Sequence, residues 1–343
     1  MFISIMKMRI KMSNNISIII PVYNYQNVIT TIKSLIKQSY PGNKEIIVIY
    51  DNPKVPLSYF FYSFLDKYNI KLIKNKSNLG LAGNYNIGIK ESKYNNIMTI
   101  HEDCIMKDKY VIRNMVNKLD SKNNTFVVNA KIVTQNKWNN YDFWNKIINF
   151  RYLGTAGSIG KATVFNKDIF KKIGKFDSDT FSTAGEDMDF NYRLNKAKLP
   201  AYNSDEMVYH LHVSNKANLS TLLKKEFQFG EAHGAFKRKY NYVIATKFDF
   251  EWRLLSVILF GIIPFYTVSL IHALRNFYKT GWMLGLFIYP FIGILIMYTQ
   301  TIAALKSFII GRQKFKEEMF LKPGTMGDIY YYLHRNNMPY ENI

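Results

Sequence analysis

Short, almost wholly apolar runs alternate with segments of helical periodicity over residues 16–135. A run in which nearly every residue is apolar predicts a strand that is covered on both faces. Such runs predict strands at Ile16–Val22, Glu45–Tyr50, Ile70–Lys74 and Asn96–Ile100. Apolar residues at helical spacing predict helices at 28–36, 82–91 and 108–119. Alternating strands and helices predict an α/β fold, with a mostly parallel central sheet and flanking helices.

Two long apolar stretches, at about 254–274 and 281–305, distinguish the C-terminal region. Each has about the twenty residues that a helix needs to cross a bilayer, although a pair of buried core helices is the alternative. Trp252 and Trp282 stand at their beginnings, where interfacial aromatic residues are expected. Basic residues cluster before the first stretch and after the second. The positive-inside rule therefore predicts a multi-pass protein of the cell membrane with a cytoplasmic N-terminal domain.

These patterns divide the chain into five regions. A basic N-terminal extension covers residues 1–15 and lacks the apolar core of a signal peptide, and an α/β domain covers 16–219. An amphipathic juxtamembrane helix and linker cover 220–250. Two transmembrane helices lie within 251–306, and a cytoplasmic tail covers 307–343. The hairpin would contact membrane lipid, and it leaves homo-oligomerisation open.

The chain is strongly basic, with 46 Lys and Arg against 25 Asp and Glu and a net charge of +21. Such a charge suits a polyanionic partner: nucleic acid, an anionic membrane surface or a phosphate-bearing substrate. A general enrichment in Lys, Asn, Ile, Tyr and Phe explains the charge equally well. Because no nucleic-acid-binding motif is present, no nucleic-acid partner is expected. The single cysteine, Cys104, excludes a disulfide within the chain.

Polar residues follow each of the four predicted strands. They form the segments 21–24, 50–52, 78–88 and 101–104. Each segment alone has a structural alternative as a turn, a close-packed helix entry or a cap. An open parallel sheet binds its ligand beyond the carboxyl ends of its strands, so together they predict a ligand site.

Two adjacent carboxylates, Glu186 and Asp187, follow a glycine at the predicted start of a helix. Negative charge suits the first turn of a helix, so the pair, behind a cap at Thr183 or Gly185, has a structural interpretation. The alternative is that Asp187 is a catalytic base. The motif alone does not separate the two.

These motifs together resemble the family 2 glycosyltransferases, which have the GT-A fold. The resemblance covers about residues 16–215 and is carried by the segments 18–24, 45–51, 78–88, 174–177 and 185–187. It implies a GT-A nucleotide-sugar-binding sandwich. It also implies an inverting transfer of a sugar from a nucleotide sugar, which we expect to be UDP-linked.

The resemblance also implies a role for each matching residue. Asp187 matches the catalytic base, with Glu186 as its positioning neighbour. Asp103 matches the metal-binding aspartate of an Asp-x-Asp motif, which implies Mg²⁺ or Mn²⁺ as the cofactor. The residues expected to bind the nucleotide sugar are Pro21, Tyr23, Asn24, Asp51, Asn78, Gly80, Gly83, Asn84 and Glu102.

The chain departs from the family pattern at two positions. His101 replaces the first aspartate of Asp-x-Asp, and we interpret it as a spectator or a ribose contact rather than a metal ligand. Tyr50 replaces a carboxylate before Asp51, which makes the base preference less certain. The resemblance implies that a histidine in this region completes the metal site, and we assign that role to His212; if the segment is a strand, His210 and His212 lie on one face. Two histidines on a solvated strand are the alternative.

Two membrane helices would tether the active site to the bilayer, so the expected acceptor is a hydroxyl of a lipid-linked or membrane-proximal glycan. A polyprenyl-phosphate sugar synthase is one alternative. A phosphate acceptor is already ionised and needs no general base, so Glu186 and Asp187 favour a hydroxyl. A catalytically inactive membrane scaffold with the same fold is the other alternative.

Overall fold

The computed structural model describes most of the chain between residues 15 and 311. The described ranges are 15–120, 123–134, 141–152, 159–181, 184–210, 217–240, 255 and 258–311. Nearly all of the predicted N-terminal extension, the linker at 241–250 and the tail beyond 311 lie outside these ranges.

An eight-stranded sheet forms the centre of the described N-terminal domain. Its strands are β1 (Ile16–Val22), β2 (Lys44–Tyr50), β3 (Lys71–Lys74), β4 (Asn96–Ile100), β5 (Cys104–Met106), β6 (Val127–Thr134), β7 (Ala162–Asn166) and β8 (Tyr202–His210). They lie side by side in the order β3-β2-β1-β4-β7-β6-β8-β5. Four of the seven pairings are parallel, which confirms the expected mostly parallel sheet.

The predicted strands form the parallel half of the sheet, β3-β2-β1-β4. β1 and β4 have the predicted bounds, and β2 and β3 differ by one residue at their starts. Every residue of β1 is buried, Pro21 included, because both faces of the sheet are covered. Ile18 and Ile20 pack into the core on one face, and Ile19 packs into the core on the other.

Most helices of the described domain flank this sheet, whereas the fifth and the eighth pack against the C-terminal helices. The helices of this domain are α1 (Tyr25–Ile36), α2 (Tyr59–Lys67), α3 (Gly80–Glu91), α4 (Val111–Val116), α5 (Phe143–Tyr152), α6 (Ile169–Ile173), α7 (Glu186–Lys196) and α8 (Leu219–Tyr240). The helix predicted at 108–119 is shorter as α4. The Asp108 carboxylate accepts a hydrogen bond from the Tyr110 N–H at 2.8 Å, and this turn delays the helix.

Two further helices follow, α9 (Ile263–Thr280) and α10 (Met283–Ile310). Within the described part of the chain, α10 is the one helix long and apolar enough to cross a bilayer, and half of its apolar window is buried in the protein. The two predicted spans are therefore not both found. A turn at Gly261, with a φ of +60°, divides the stretch 254–274, and α9 extends into the polar segment that ends at Thr280.

Candidate active site

The Glu102 carboxylate joins the loop after β1 to the end of β4. Its Oε2 atom accepts hydrogen bonds from the N–H groups of Tyr23 at 2.9 Å and Asn24 at 3.0 Å. Burial raises the pKa of Glu102 to about 8, helped by the neighbouring Asp103 charge and opposed by the two N–H donors. Three residues predicted to bind the nucleotide sugar are thus in direct contact, and Glu102 fixes the shape of the loop.

Asp51 holds the loop that follows β3. Its Oδ1 atom accepts hydrogen bonds from the Leu79 N–H at 2.9 Å and from Asn75 Nδ2 at 2.7 Å. Its Oδ2 atom accepts from the Gly80 N–H at 2.9 Å. Burial raises the pKa of Asp51, and these donors oppose the shift. Both carboxylate oxygens therefore bind the protein's own backbone and amide groups at the start of α3.

The other predicted nucleotide-binding residues of this segment surround the same contact. Asn78 Oδ1 accepts a hydrogen bond from the Gly80 N–H at 2.9 Å, and Asn84 Oδ1 accepts from Asn75 Nδ2 at 2.7 Å. Gly80 has a φ of +71°, a conformation that favours glycine. Gly83 lies in the first turn of α3. The residues of this segment that were predicted to bind the nucleotide therefore lie together at the carboxyl edge of the sheet.

His101, Asp103 and His210 form a cluster at this edge. One ligand atom from each lies within 4.8 Å of the others, and His210 Nε2 is 3.1 Å from Asp103 Oδ1. The sheet explains the proximity, because Cys104, directly after Asp103, pairs with His210 across β5 and β8. Burial lowers the pKa of His101 to about 3, so its imidazole is neutral and able to bind a metal.

Two imidazoles and a carboxylate form a donor set that suits a divalent transition-metal ion. Asp103 belongs to this set of possible metal ligands, as expected, but the other described members are His101 and His210. The sequence-based interpretation of His101 as a spectator did not anticipate this grouping. His212 lies outside the described residues, since β8 ends at His210. His101 and Asp103 lie in a turn between β4 and β5, so their short spacing in the sequence was the only signal that they are neighbours.

The helix α7 begins at Glu186 behind Gly185, which has a φ of +89° and serves as the N-cap. This confirms the expected helix start at Gly185, while Thr183 lies outside the described residues. The Met188 N–H donates to Asp187 Oδ1 at 2.8 Å. Burial raises the pKa of Asp187, opposed by the Met188 hydrogen bond and by the positive charge of Lys161. A raised pKa makes a carboxylate a stronger base.

Tyr85 connects the α7 carboxylates to the metal-binding cluster. It is fully buried, and its hydroxyl donates to the Gly160 carbonyl at 2.9 Å. Burial raises its pKa, and the charges of Glu186, Asp187 and Asp103 raise it further. Carboxylates from two segments distant in sequence therefore both influence the pKa of one buried phenol.

Sequence reasoning did not identify Lys161 as a site residue. Its carbonyl accepts a hydrogen bond from the His101 N–H at 3.0 Å, beside the pairing of β4 with β7. Its positive charge lowers the pKa values of both Asp187 and His101, although burial has the larger effect on each. Lys161 thus adds a cation between the expected base and the metal-binding cluster. A lone lysine in a sequence gives no signal of such a position.

Comparisons with known proteins agree with this geometry. Residues 17–174 match the model of the family described as "Glycosyl transferase family 2". Two curated relatives from Staphylococcus epidermidis, both named poly-beta-1,6-N-acetyl-D-glucosamine synthase, are 26% identical over 197 residues. The match covers 52% of this chain and 45% of each relative, so the chain aligns with about half of their length.

A solved structure shows the same fold. It is the mannosyltransferase PcManGT from Pyrobaculum calidifontis in complex with GDP-Man and Mn²⁺, with a TM-score of 0.55 and 14% identity. The similarity covers 87% of this chain and 88% of that one. The family match and this shared fold lead to one conclusion: residues 17–174 are similar to glycosyl transferase family 2, and the described structure has the GT-A fold.

Proposed function

We propose that this protein is a membrane-anchored, inverting, metal-dependent glycosyltransferase. Its donor is a nucleotide sugar, which we propose to be UDP-linked, and its acceptor is a hydroxyl of a lipid-linked or membrane-proximal glycan. The observation that carries the proposal is the cluster of His101, Asp103 and His210, whose ligand atoms lie within 4.8 Å of one another. The charges of Asp103 and of Glu186 and Asp187 on α7 also all raise the pKa of the buried Tyr85 hydroxyl.

The proposed donor site is the carboxyl edge of the parallel half-sheet. The loops held by Glu102 and Asp51 line the place where the resemblance expects the base and ribose. The proposed metal ligands are Asp103, His101 and His210. When bound there, Mg²⁺ or Mn²⁺ would neutralise charge on the departing diphosphate. The relative PcManGT was solved with GDP-Man and Mn²⁺, which supports a donor and an ion of these classes.

The proposed base is Asp187. In the transfer, the acceptor oxygen forms a bond to the anomeric carbon while the bond from that carbon to the diphosphate oxygen breaks. Asp187 takes the hydroxyl proton, and the nucleoside diphosphate leaves with the bonding electrons. The burial that raises the pKa of Asp187 strengthens it as a base, and Lys161 preserves its ionised form.

The proposed membrane anchor is the helical hairpin of α9 and α10. Several large apolar side chains of α10 are exposed, Phe287 and Phe291 among them, on a helix long enough to cross a bilayer. We propose that the catalytic domain lies on the cytoplasmic side, because basic residues cluster before and after the apolar region. We propose that this anchor is multi-pass.

The direct experiment measures donor cleavage by the purified full-length protein. The protein in nanodiscs is incubated with Mn²⁺ and either UDP-N-acetylglucosamine or GDP-mannose, and the released nucleoside diphosphate is measured. We expect cleavage of at least one donor and its loss with EDTA. A protein that binds UDP or GDP without cleaving any donor in a wider panel would instead be the inactive scaffold.

The acceptor class needs a separate experiment. Polyprenyl phosphate and a glycan with free hydroxyls are offered to the same preparation with the donor that it cleaves. Transfer to the glycan, lost in Asp187→Asn, is expected. Transfer to polyprenyl phosphate that persists in Asp187→Asn would overturn the hydroxyl acceptor, since an ionised phosphate needs no base.

A further inference from the structure

Two carboxylates of α7 face in different directions. Asp187 and Asp189 are two residues apart, and a helix turns by about 200° over that interval. The charge of Asp187 influences Tyr85 and interacts with that of Lys161, whereas Asp189 is fully buried against Lys239 and Tyr240 of α8. The same helix therefore carries the proposed base on one face and a second, buried carboxylate on the opposite face.

Asp189 is held by three side chains. Lys239 Nζ lies 2.6 Å from Asp189 Oδ1, and the Tyr240 hydroxyl donates to the same oxygen at 2.6 Å. Arg193 donates to Asp189 Oδ2 through Nε at 2.9 Å. Lys239 also lies 2.8 Å from Asp177 Oδ2, so it connects two segments of the domain. Because a buried carboxylate is costly without its partners, this network constrains the position of α7.

The helix α8 also contacts the first residue before α7. A Cβ atom placed on Gly185 would lie 2.9 Å from the Ala232 Cβ, so α8 packs directly on the N-cap of the helix that carries Asp187. At the C-terminal end of α8, Lys239 forms an ion pair with Asp189 and Tyr240 donates a hydrogen bond to it. Two separate contacts thus fix α7 on α8 at the start of the helix and about one turn later.

The opposite side of α8 lies against α10. Added Cβ atoms on Gly230 and Gly234 would clash with the backbone oxygens of Gln300 and Ala304. Gln300 Nε2 also donates to Glu226 Oε2 at 2.6 Å, and both side chains are buried. The two helix backbones are therefore in direct contact, and one cannot shift without moving the other.

We propose that Lys239 is a positioning residue for Asp187, and that α8 couples the position of this base to the seating of α10 in the membrane. Lys239 holds Asp189, Asp189 fixes α7, and α7 sets the distance from Asp187 to the acceptor oxygen. The inference rests on the proposed function, since it concerns the base of that reaction. In this proposal, α8 is a rigid connection between α10 and the helix that carries Asp187.

The first test replaces Lys239. Lys239→Met keeps most of the aliphatic stem and removes both ion pairs, Lys239→Arg keeps the charge, and Lys224→Met changes an exposed lysine of the same helix as the control. We expect Lys239→Met to lower kcat for donor cleavage by about 10- to 100-fold, the cost of a misplaced catalytic group. The KM for the donor and the affinity for UDP or GDP with Mn²⁺ should stay within about twofold, and Lys239→Arg should restore part of kcat.

The second test changes the contact between α8 and α10. Gly234→Ala adds a methyl group against the Ala304 backbone, and we expect a lower kcat with unchanged nucleotide affinity. A Lys239→Met protein with wild-type kcat, or one that loses nucleotide binding and kcat together, would overturn the positioning role. Wild-type kcat in Gly234→Ala would overturn the coupling to α10. A wild-type protein that cleaves no donor would instead refute the proposed function, so the two failures are distinguishable.

Discussion

His210 Nε2 lies 3.1 Å from Asp103 Oδ1, with the ligand atom of His101 in the same cluster. His101 and Asp103 lie in the turn after β4 and His210 lies at the end of β8, and the antiparallel β5–β8 pair brings them together. This cluster, rather than any one residue, is the feature of the site that can be tested without knowledge of the substrate.

The first prediction concerns metal affinity. His210→Ala removes one imidazole from the cluster, so we expect Mn²⁺ to bind at least about tenfold more weakly. Calorimetric titration of the metal into the full-length protein measures this. Asp179→Asn, at an exposed carboxylate, is the control and should bind like the wild type. Unchanged Mn²⁺ affinity in His210→Ala would exclude His210 as a ligand.

The second prediction concerns the base. Asp187→Asn keeps the size of the side chain and removes its ability to accept a proton, so transfer to the acceptor should fall by about 10²- to 10⁴-fold. Binding of UDP or GDP with Mn²⁺ should be retained, because Asp187 belongs to a different segment from the donor loops. Initial transfer rates and nucleotide titrations separate the two effects. Full transfer by Asp187→Asn would refute the assignment.

The third prediction concerns pH. Asp187 works as a base only when ionised, and its raised pKa means that kcat should rise with pH through a value above the usual range of an aspartate. Lys161 opposes that shift, so Lys161→Met should raise the pKa of Asp187 further and move the acidic limb of the kcat profile to higher pH. Lys196→Met, an exposed lysine on α7, is the control. A limb that moves to lower pH would contradict the proposed electrostatics.

The fourth prediction concerns the donor loop. Asp51→Ala removes the acceptor of the Leu79 N–H, one of two acceptors of the Gly80 N–H and one acceptor of the Asn75 amide, so we expect a loss of about 2 to 4 kcal/mol in the free energy of unfolding. Nucleotide affinity should fall as well, because the loop loses its anchor. Urea denaturation and nucleotide titration measure the two effects. Asp66→Ala, at an exposed carboxylate of α2, should change neither.

The parallel half of the fold was predictable from sequence because its strands are continuous apolar runs. β1 and β4 have the predicted bounds, since burial on both faces leaves no polar position to obscure them. β5 and β6 were not predicted. β5 has only three residues, Cys104–Met106, and is defined by its pairing with β8, a contact between distant segments that no local pattern records.

Some residues of the site could be recognised from the sequence, and others could not. The segments 21–24 and 78–88 were recognisable because they adjoin apolar strands, and the hydrogen bonds of Glu102 and Asp51 hold each of them at the carboxyl edge of the sheet. The contribution of His101 and the position of Lys161 depend on cross-strand register, which the sequence does not encode locally. The match to the family model ends at residue 174, before Asp187 and His210.

The antiparallel pairing of β5 with β8 also has a consequence for the order of synthesis. Asp103 leaves the ribosome more than a hundred residues before His210, and the parallel half-sheet, β1 to β4, is complete by then. A nascent chain can therefore form the donor-binding loops early. The cluster of His101, Asp103 and His210 is complete only when β8 has emerged, so its three side chains come together late in synthesis.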